Sequence, residues 1–227
     1  MNLLRPKKSI DFKGDWNTDG ILEQPGTQQL LDRIVLDFFD EAMLKKDFSN
    51  FKTTIIFTNT KLGPELNNYL GLKYPGIPQE QRPWMWNHSE RDKATVQDLF
   101  NRVQPGHPHQ IRIIITTTCM LMGLNIPDIS IVVNLGEVSN LSDLWQAAGR
   151  GGRRIGGVGP EKNRLSSIVY NLLNPEDMAH HTNQSVKNFM KSTSCLRRGE
   201  NGLMKHFGWE SDSSRPPDLN CCSNCDP

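Results

Sequence analysis

Apolar positions fall into two rhythms along this chain. Over residues 28–46, Leu30, Leu31, Ile34, Val35, Phe38, Phe39 and Met43 recur at steps of three and four, the spacing that lines one face of a helix. Residues 53–57 are instead a short β-branched run, Thr53-Thr54-Ile55-Ile56-Phe57, which turns polar at Thr58-Asn59-Thr60 and passes through Gly63-Pro64 into a helix expected over 65–70. The alternation then returns. The pattern predicts a helix over 90–103, strands over 111–116 and 129–134, a helix over 142–148, and a strand over 167–173 after the Gly-rich stretch 149–159. Short apolar strands alternating with helices imply βαβ units, hence an α/β fold with a parallel sheet covered by helices on both faces.

The flanks lack this alternation. Residues 1–25 contain Pro6, Gly14, Gly20 and Pro25 with little periodicity and read as a linker or leading arm. After Glu176 a polar helix leads to Cys195, and beyond Gly208 the chain is rich in Ser, Pro and Asp. Three parts are therefore expected: an arm over 1–25, an α/β domain over 26–178, and a small cysteine-bearing subdomain over 179–227.

Composition narrows the class. A chain of 227 residues accommodates one domain of about 150 residues with an appendage, not a large multidomain enzyme. Lys and Arg number 26 against 25 Asp and Glu, so no global field draws in nucleic acid, and any such contact must be local. There is no apolar run long enough to span a membrane, and residues 1–20 are too polar for a signal peptide. A soluble intracellular protein without a membrane partner is expected. Of five cysteines, Cys119 stands alone, whereas Cys195, Cys221, Cys222 and Cys225 crowd the last part of the chain. Without a secretory signal, such clustering favours a metal over disulfides.

Ligands of open α/β sheets bind beyond the carboxyl ends of the strands. The residues there are Thr58-Asn59-Thr60, Thr116-Thr117-Thr118, Asn134-Leu135-Gly136 and the loop after the helix that holds Trp145. Hydroxyls, amides and free N–H groups suit phosphate oxygens, but the same residue types cap helices, and for any single loop the sequence leaves both uses open. The strongest local signal is Gln146-Ala147-Ala148-Gly149-Arg150-Gly151-Gly152-Arg153-Arg154. Guanidinium groups flanked by glycines can approach a polyanion closely; a flexible basic loop is the plainer alternative. Trp84 and Trp86, at alternate positions around Met85, could stack on bases, although that alternation more often marks a core strand. His180-His181 reads as helix surface rather than as a pair of metal ligands.

Several of these stretches resemble one family. Gln146-x-x-Gly149-Arg150-x-Gly152-Arg153 is similar to motif VI of superfamily 2 helicases in its RecQ form, and Met122-Gly123-Leu124-Asn125-Ile126-Pro127-Asp128 resembles motif V. Thr54 to Thr60 is similar to motif IV, and Trp86-Asn87-His88-Ser89 to the tyrosine-histidine stretch of that family. The tail, with Cys195-Leu196-Arg197-Arg198, then Leu203 to Gly208, then Cys222-Ser223-Asn224-Cys225-Asp226, resembles the start of the RecQ zinc-binding subdomain. The chain departs from the family pattern at Leu121, Asn134, Ala147 and Arg154-Ile155.

The resemblance implies a second RecA-like motor domain of an ATP-dependent 3′–5′ DNA helicase. ATP with Mg would be held in a cleft shared with a first RecA-like domain, supplied in cis or in trans. Carried over position by position, Arg153 becomes the arginine finger, with Arg150 and Gln146 placing nucleotide and water. Gly149, Asn125 and Gly123 border the nucleotide. Thr58, Asn59 and Thr117 contact phosphates of single-stranded or junction DNA, and Cys195, Cys222 and Cys225 hold Zn, with Cys221 as substitute. In a eukaryote such a helicase is expected in the nucleus, otherwise in the cytoplasm. The sequence contains neither a Gly-x-x-x-x-Gly-Lys-Ser/Thr loop nor an Asp-Glu-x-His run. This chain alone is therefore expected not to hydrolyse ATP, being either a fragment of a longer helicase or a shortened protein kept as a DNA-binding module.

Overall fold

The computed structural model describes residues 2–4, 53–87, 93–104, 106–118, 126, 129–136, 139–151, 168–172 and 183–192. The chain divides into two compact units, one of residues 10–122 and one of residues 1–9 with 123–227.

In the first unit three strands, β2 (Thr54–Phe57), β3 (Trp84–Asn87) and β4 (Ile113–Thr116), lie parallel with β4 in the middle. Every residue of β2 and β4 is buried, which is what a parallel strand covered on both faces demands and why these stretches read as unbroken Ile-rich runs. Helix α1 (Leu62–Lys73) follows β2 and packs on β3 and β4 through the buried Leu66 and Leu70. It is longer than the expected 65–70. Pro64 falls in its first turn, where the missing N–H has no helical partner to lose, and Gly71-Leu72-Lys73 continues its last turn. A 3₁₀ turn (Gln79–Gln81) leads into β3. Helix α2 (Lys93–Arg102) then returns to β4, burying Leu99.

The second unit has the same logic. Strand β5 (Ile131–Leu135), helix α3 (Leu141–Ala148) and strand β6 (Ile168–Leu172) form a βαβ unit, with Ile131 paired to Ile168 and Leu135 to Leu172 in parallel register. On the other side of β6 runs β1 (Asn2–Leu4), with Asn2 opposite Ile168. The arm expected over 1–25 thus holds a strand in its first residues; a segment this short carries too few positions to show a period. The rest of that arm, the helix expected over 28–46 and the cysteine-bearing part of 179–227 lie outside the described residues. Helix α4 (Gln184–Lys191) is less polar than its sequence suggests. Val186 and Phe189, three apart, are wholly buried, and Asn183 caps it by accepting from the N–H groups of Ser185 and Val186 at 3.0 and 3.2 Å.

Candidate functional site

The carboxyl ends of β2 and β4 are locked side by side. Phe57 is in register with Thr116, and the N–H of Thr58 donates to the Thr116 carbonyl at 2.8 Å. This brings Thr58 and Thr117 to one end of adjacent strands, both nearly buried. The Thr58 hydroxyl is enclosed and has no hydrogen-bond partner among the described residues. Leaving a buried hydroxyl unpaired costs stability.

Asn59 does something more definite. Its Oδ1 accepts from the N–H groups of Lys61 at 3.0 Å and Leu62 at 2.7 Å, and its carbonyl accepts from Gly63 at 3.1 Å. Asn59 thus satisfies main-chain N–H groups at the start of α1 through its two carbonyl oxygens. The side chain remains exposed.

In the other unit, the stretch singled out for its glycines and arginines begins at the end of α3. Asn140 starts that helix with a reciprocal cap: its Oδ1 accepts from the Asp143 N–H and its Nδ2 donates to Asp143 Oδ2, both at 2.9 Å. The helix buries Leu141, Leu144, Ala147 and Ala148 and leaves Gln146 exposed. Its end tightens, with Gly149 N donating to Trp145 O at 2.8 Å, Arg150 N to Ala147 O at 3.0 Å and Gly151 N to Ala148 O at 3.2 Å. Gly149 has φ −67°, so it is not there for a left-handed turn; what it supplies is a bare backbone beside the half-buried Arg150. Gln146, Gly149 and Arg150 are thus gathered at the C-terminal end of α3, where the side chains of Gln146 and Arg150 are donors suited to an anionic group and the Gly149 N–H is already bonded within the helix. Arg153, Asn125, Gly123, Cys195, Cys222, Cys225 and His180-His181 lie outside the described residues. Among the described residues no group of three His, Cys, Asp or Glu side chains could hold a metal ion.

The tryptophans divide from the stacking use considered for them. Trp84 is only 2% exposed, with Tyr74 at 6.1 Å on one side and the Arg82 guanidinium 5.4 Å above its ring. Trp86 is packed on Gly63. Sequence reading did not single out Arg82 or Arg102, although an arginine two residues before a tryptophan on a strand has the spacing to stack on it. At the opposite end of β4, burial lowers the pKa of the Arg112 guanidinium.

Residues 35–155, more than half of the chain, match the family described as the helicase conserved C-terminal domain. The chain belongs to this family. It is the C-terminal helicase domain of a superfamily 2 helicase, with a RecA-like α/β fold and a parallel sheet. The helicase domain is 30% identical over 149 residues to the ATP-dependent helicase Lhr-Core of Methanocaldococcus jannaschii, covering 66% of this chain and 16% of that protein. It is 22% identical over 167 residues to the pre-mRNA-splicing ATP-dependent RNA helicase PRP28 of Gibberella zeae, covering 71% and 21%. Among solved structures it is similar to the Mycobacterium smegmatis helicase Lhr bound to ssDNA and AMP-PNP, with a TM-score of 0.50 and 17% identity over 78% of this chain and 20% of that one. The helicase domain therefore spans about a fifth or less of the length of these relatives.

Proposed function

We propose that this helicase domain is the second motor half of a RecQ-like, ATP-dependent DNA helicase that moves 3′ to 5′, working with a first RecA-like domain in cis or in trans. The observation that carries the reading is the placement of Gln146, Gly149 and Arg150 at the terminus of α3, at the start of a stretch that continues to Arg153. Mg-ATP, when bound, supplies the phosphoryl group that is transferred to water. Arg153 and Arg150 supply fixed positive charge for the anion that develops, and such charge is worth orders of magnitude in rate. Gln146, exposed on the same terminus, orients water or nucleotide.

The nucleic-acid side of the reading rests on Thr58 and Thr117, held together at one end of β2 and β4. The unpartnered Thr58 hydroxyl suits a phosphate oxygen of a single strand, and a helicase Lhr of the same fold is described as bound to ssDNA. Preference for DNA and the RecQ type rest on the form of Gln146-x-x-Gly149-Arg150-x-Gly152-Arg153 and on the cysteine spacing of the tail. That spacing also motivates a structural zinc held by Cys195, Cys222 and Cys225, four-coordinate with one further ligand. On this reading the protein works in the nucleus of a eukaryote, or otherwise in the cytoplasm.

The deciding experiment mixes this chain with a separately expressed first RecA-like domain of a RecQ-like helicase and measures DNA-stimulated ATP hydrolysis. Activity that needs both halves and falls at least ~10²-fold in Arg153→Ala is expected for an arginine finger. A folded chain that binds DNA yet supports no hydrolysis in either form would replace the motor reading with that of a binding module.

A further inference from the structure

The unit that carries β2, β3 and β4 holds a recess, a cavity of about 640 Å³, within the range of ligand sites. It is lined by Trp84, Met85 and Trp86 in succession. Consecutive side chains of a strand point to opposite faces, so a cavity that touches three in a row lies against the edge of the strand and not over one face. One edge of β3 is taken by β4, and among the described residues no other strand pairs with β3. The recess therefore follows the outer edge of β3, flanked by Asn67 of α1 and by Asp98 and Arg102 of α2.

Its walls are braced. Arg102 donates through Nη2 to the Arg82 carbonyl at 2.9 Å and through Nε to the His109 carbonyl at 3.1 Å, and it pairs with Asp98 at 3.6 Å. One side chain thus fixes both the approach to β3 and the loop that precedes β4. The indole Nε1 of Trp84 and the Nε of Arg82 are enclosed and have no hydrogen-bond partner among the described residues. Arg82 makes no ion pair among the described residues, and His107 and His109 line the same recess. Of the two acids there, Asp98 is already engaged by Arg102, and Glu80 stands exposed.

We propose that this recess is a docking groove for an extended acidic peptide segment of a partner protein, laid along the outer edge of β3 with a carboxylate toward Arg82 and the two histidines. A strand edge recognises main chain by adding a strand, and the half-buried guanidinium of Arg82, which lines the recess without an ion pair among the described residues, favours a carboxylate. A nucleobase fits less well, because the Trp84 ring is covered by Arg82 and offers no open face.

The test uses the whole chain and fluorescein-labelled heptapeptides followed by fluorescence anisotropy. A peptide alternating glutamate and valine is expected to bind saturably. One alternating lysine and valine, and an N-methylated copy of the first that cannot pair as a strand, are expected not to. Exchanging two exposed lining residues, Gln79→Glu with His109→Glu, should weaken binding at least ~10-fold while leaving the thermal melt unchanged. Should that double variant lose its fold, the three peptides on the unaltered chain decide. Equal binding of the lysine or N-methylated peptide, displacement by oligothymidylate, or no saturable binding overturns the proposal.

Discussion

The ring of Trp86 lies directly over Gly63, so that a Cβ added to this glycine would overlap ring atoms Cζ3, Cη2 and Cε3. Gly63 is buried in the first turn of α1, and the contact fixes where that helix meets β3. Gly63→Ala pits two effects against each other. Alanine favours a helix over glycine by about 1 kcal/mol, whereas overpacking costs about 1–3 kcal/mol. Because the overlap involves a rigid ring, overpacking wins, and urea unfolding should show a net loss of stability. In a Trp86→Leu background the same substitution should cost less, a coupling that a double-mutant cycle reads directly.

Thr58→Val separates stability from function. The substitution keeps the shape and removes a hydroxyl that has no partner among the described residues, so the unfolding free energy should stay level or rise by up to about 1 kcal/mol, read as an unchanged or higher midpoint. If the hydroxyl serves a phosphate, affinity for single-stranded DNA falls in the same variant. A lower midpoint would show that the hydroxyl already has a use within the fold.

Asn59 supplies the complementary case. Loss of its two side-chain hydrogen bonds to Lys61 and Leu62 in Asn59→Ala should cost about 0.5–2 kcal/mol. Asn59→Asp keeps an acceptor and adds a charge that the helix start favours, so stability should be retained while affinity for a phosphate backbone drops. Differential scanning calorimetry with a DNA-binding titration distinguishes the two roles of this one residue.

The proposed zinc site predicts about one zinc per chain by elemental analysis, lost in Cys222→Ser, with a lower melting temperature after chelation because metal binding contributes folding free energy. A chain that binds no zinc and melts unchanged with chelator would remove Cys195, Cys222 and Cys225 from the ligand set.

What could be read from the sequence follows from how each element is built. Strands β2, β4 and β5 announce themselves because burial on both faces forces unbroken apolar runs such as Ile113-Ile114-Ile115. Thr58 and Thr117 could be placed at strand ends because polarity switches abruptly after Phe57 and Ile115. The loop 58–60 was ambiguous, since an amide that caps a helix and one that meets a phosphate are the same residue. The recess beside β3 was invisible, for it depends on Arg102 drawing together the backbone of residues 82 and 109, a meeting that no local pattern encodes.

The pairing of β1 with β6 gives the chain a particular history during synthesis. Asn2 finds its place opposite Ile168, so residues 2–4 leave the ribosome long before the strand that will accept them exists. Such distant pairing is slow to form, and until then a short run of main-chain donors and acceptors stays open to other strands, its own or a neighbour's. Proline placed at residues 2–4 in turn would act on this zipping step, since proline cannot donate to a strand ladder, so the yield of folded protein is expected to be more sensitive to those substitutions than to an insertion in the loop after Lys73.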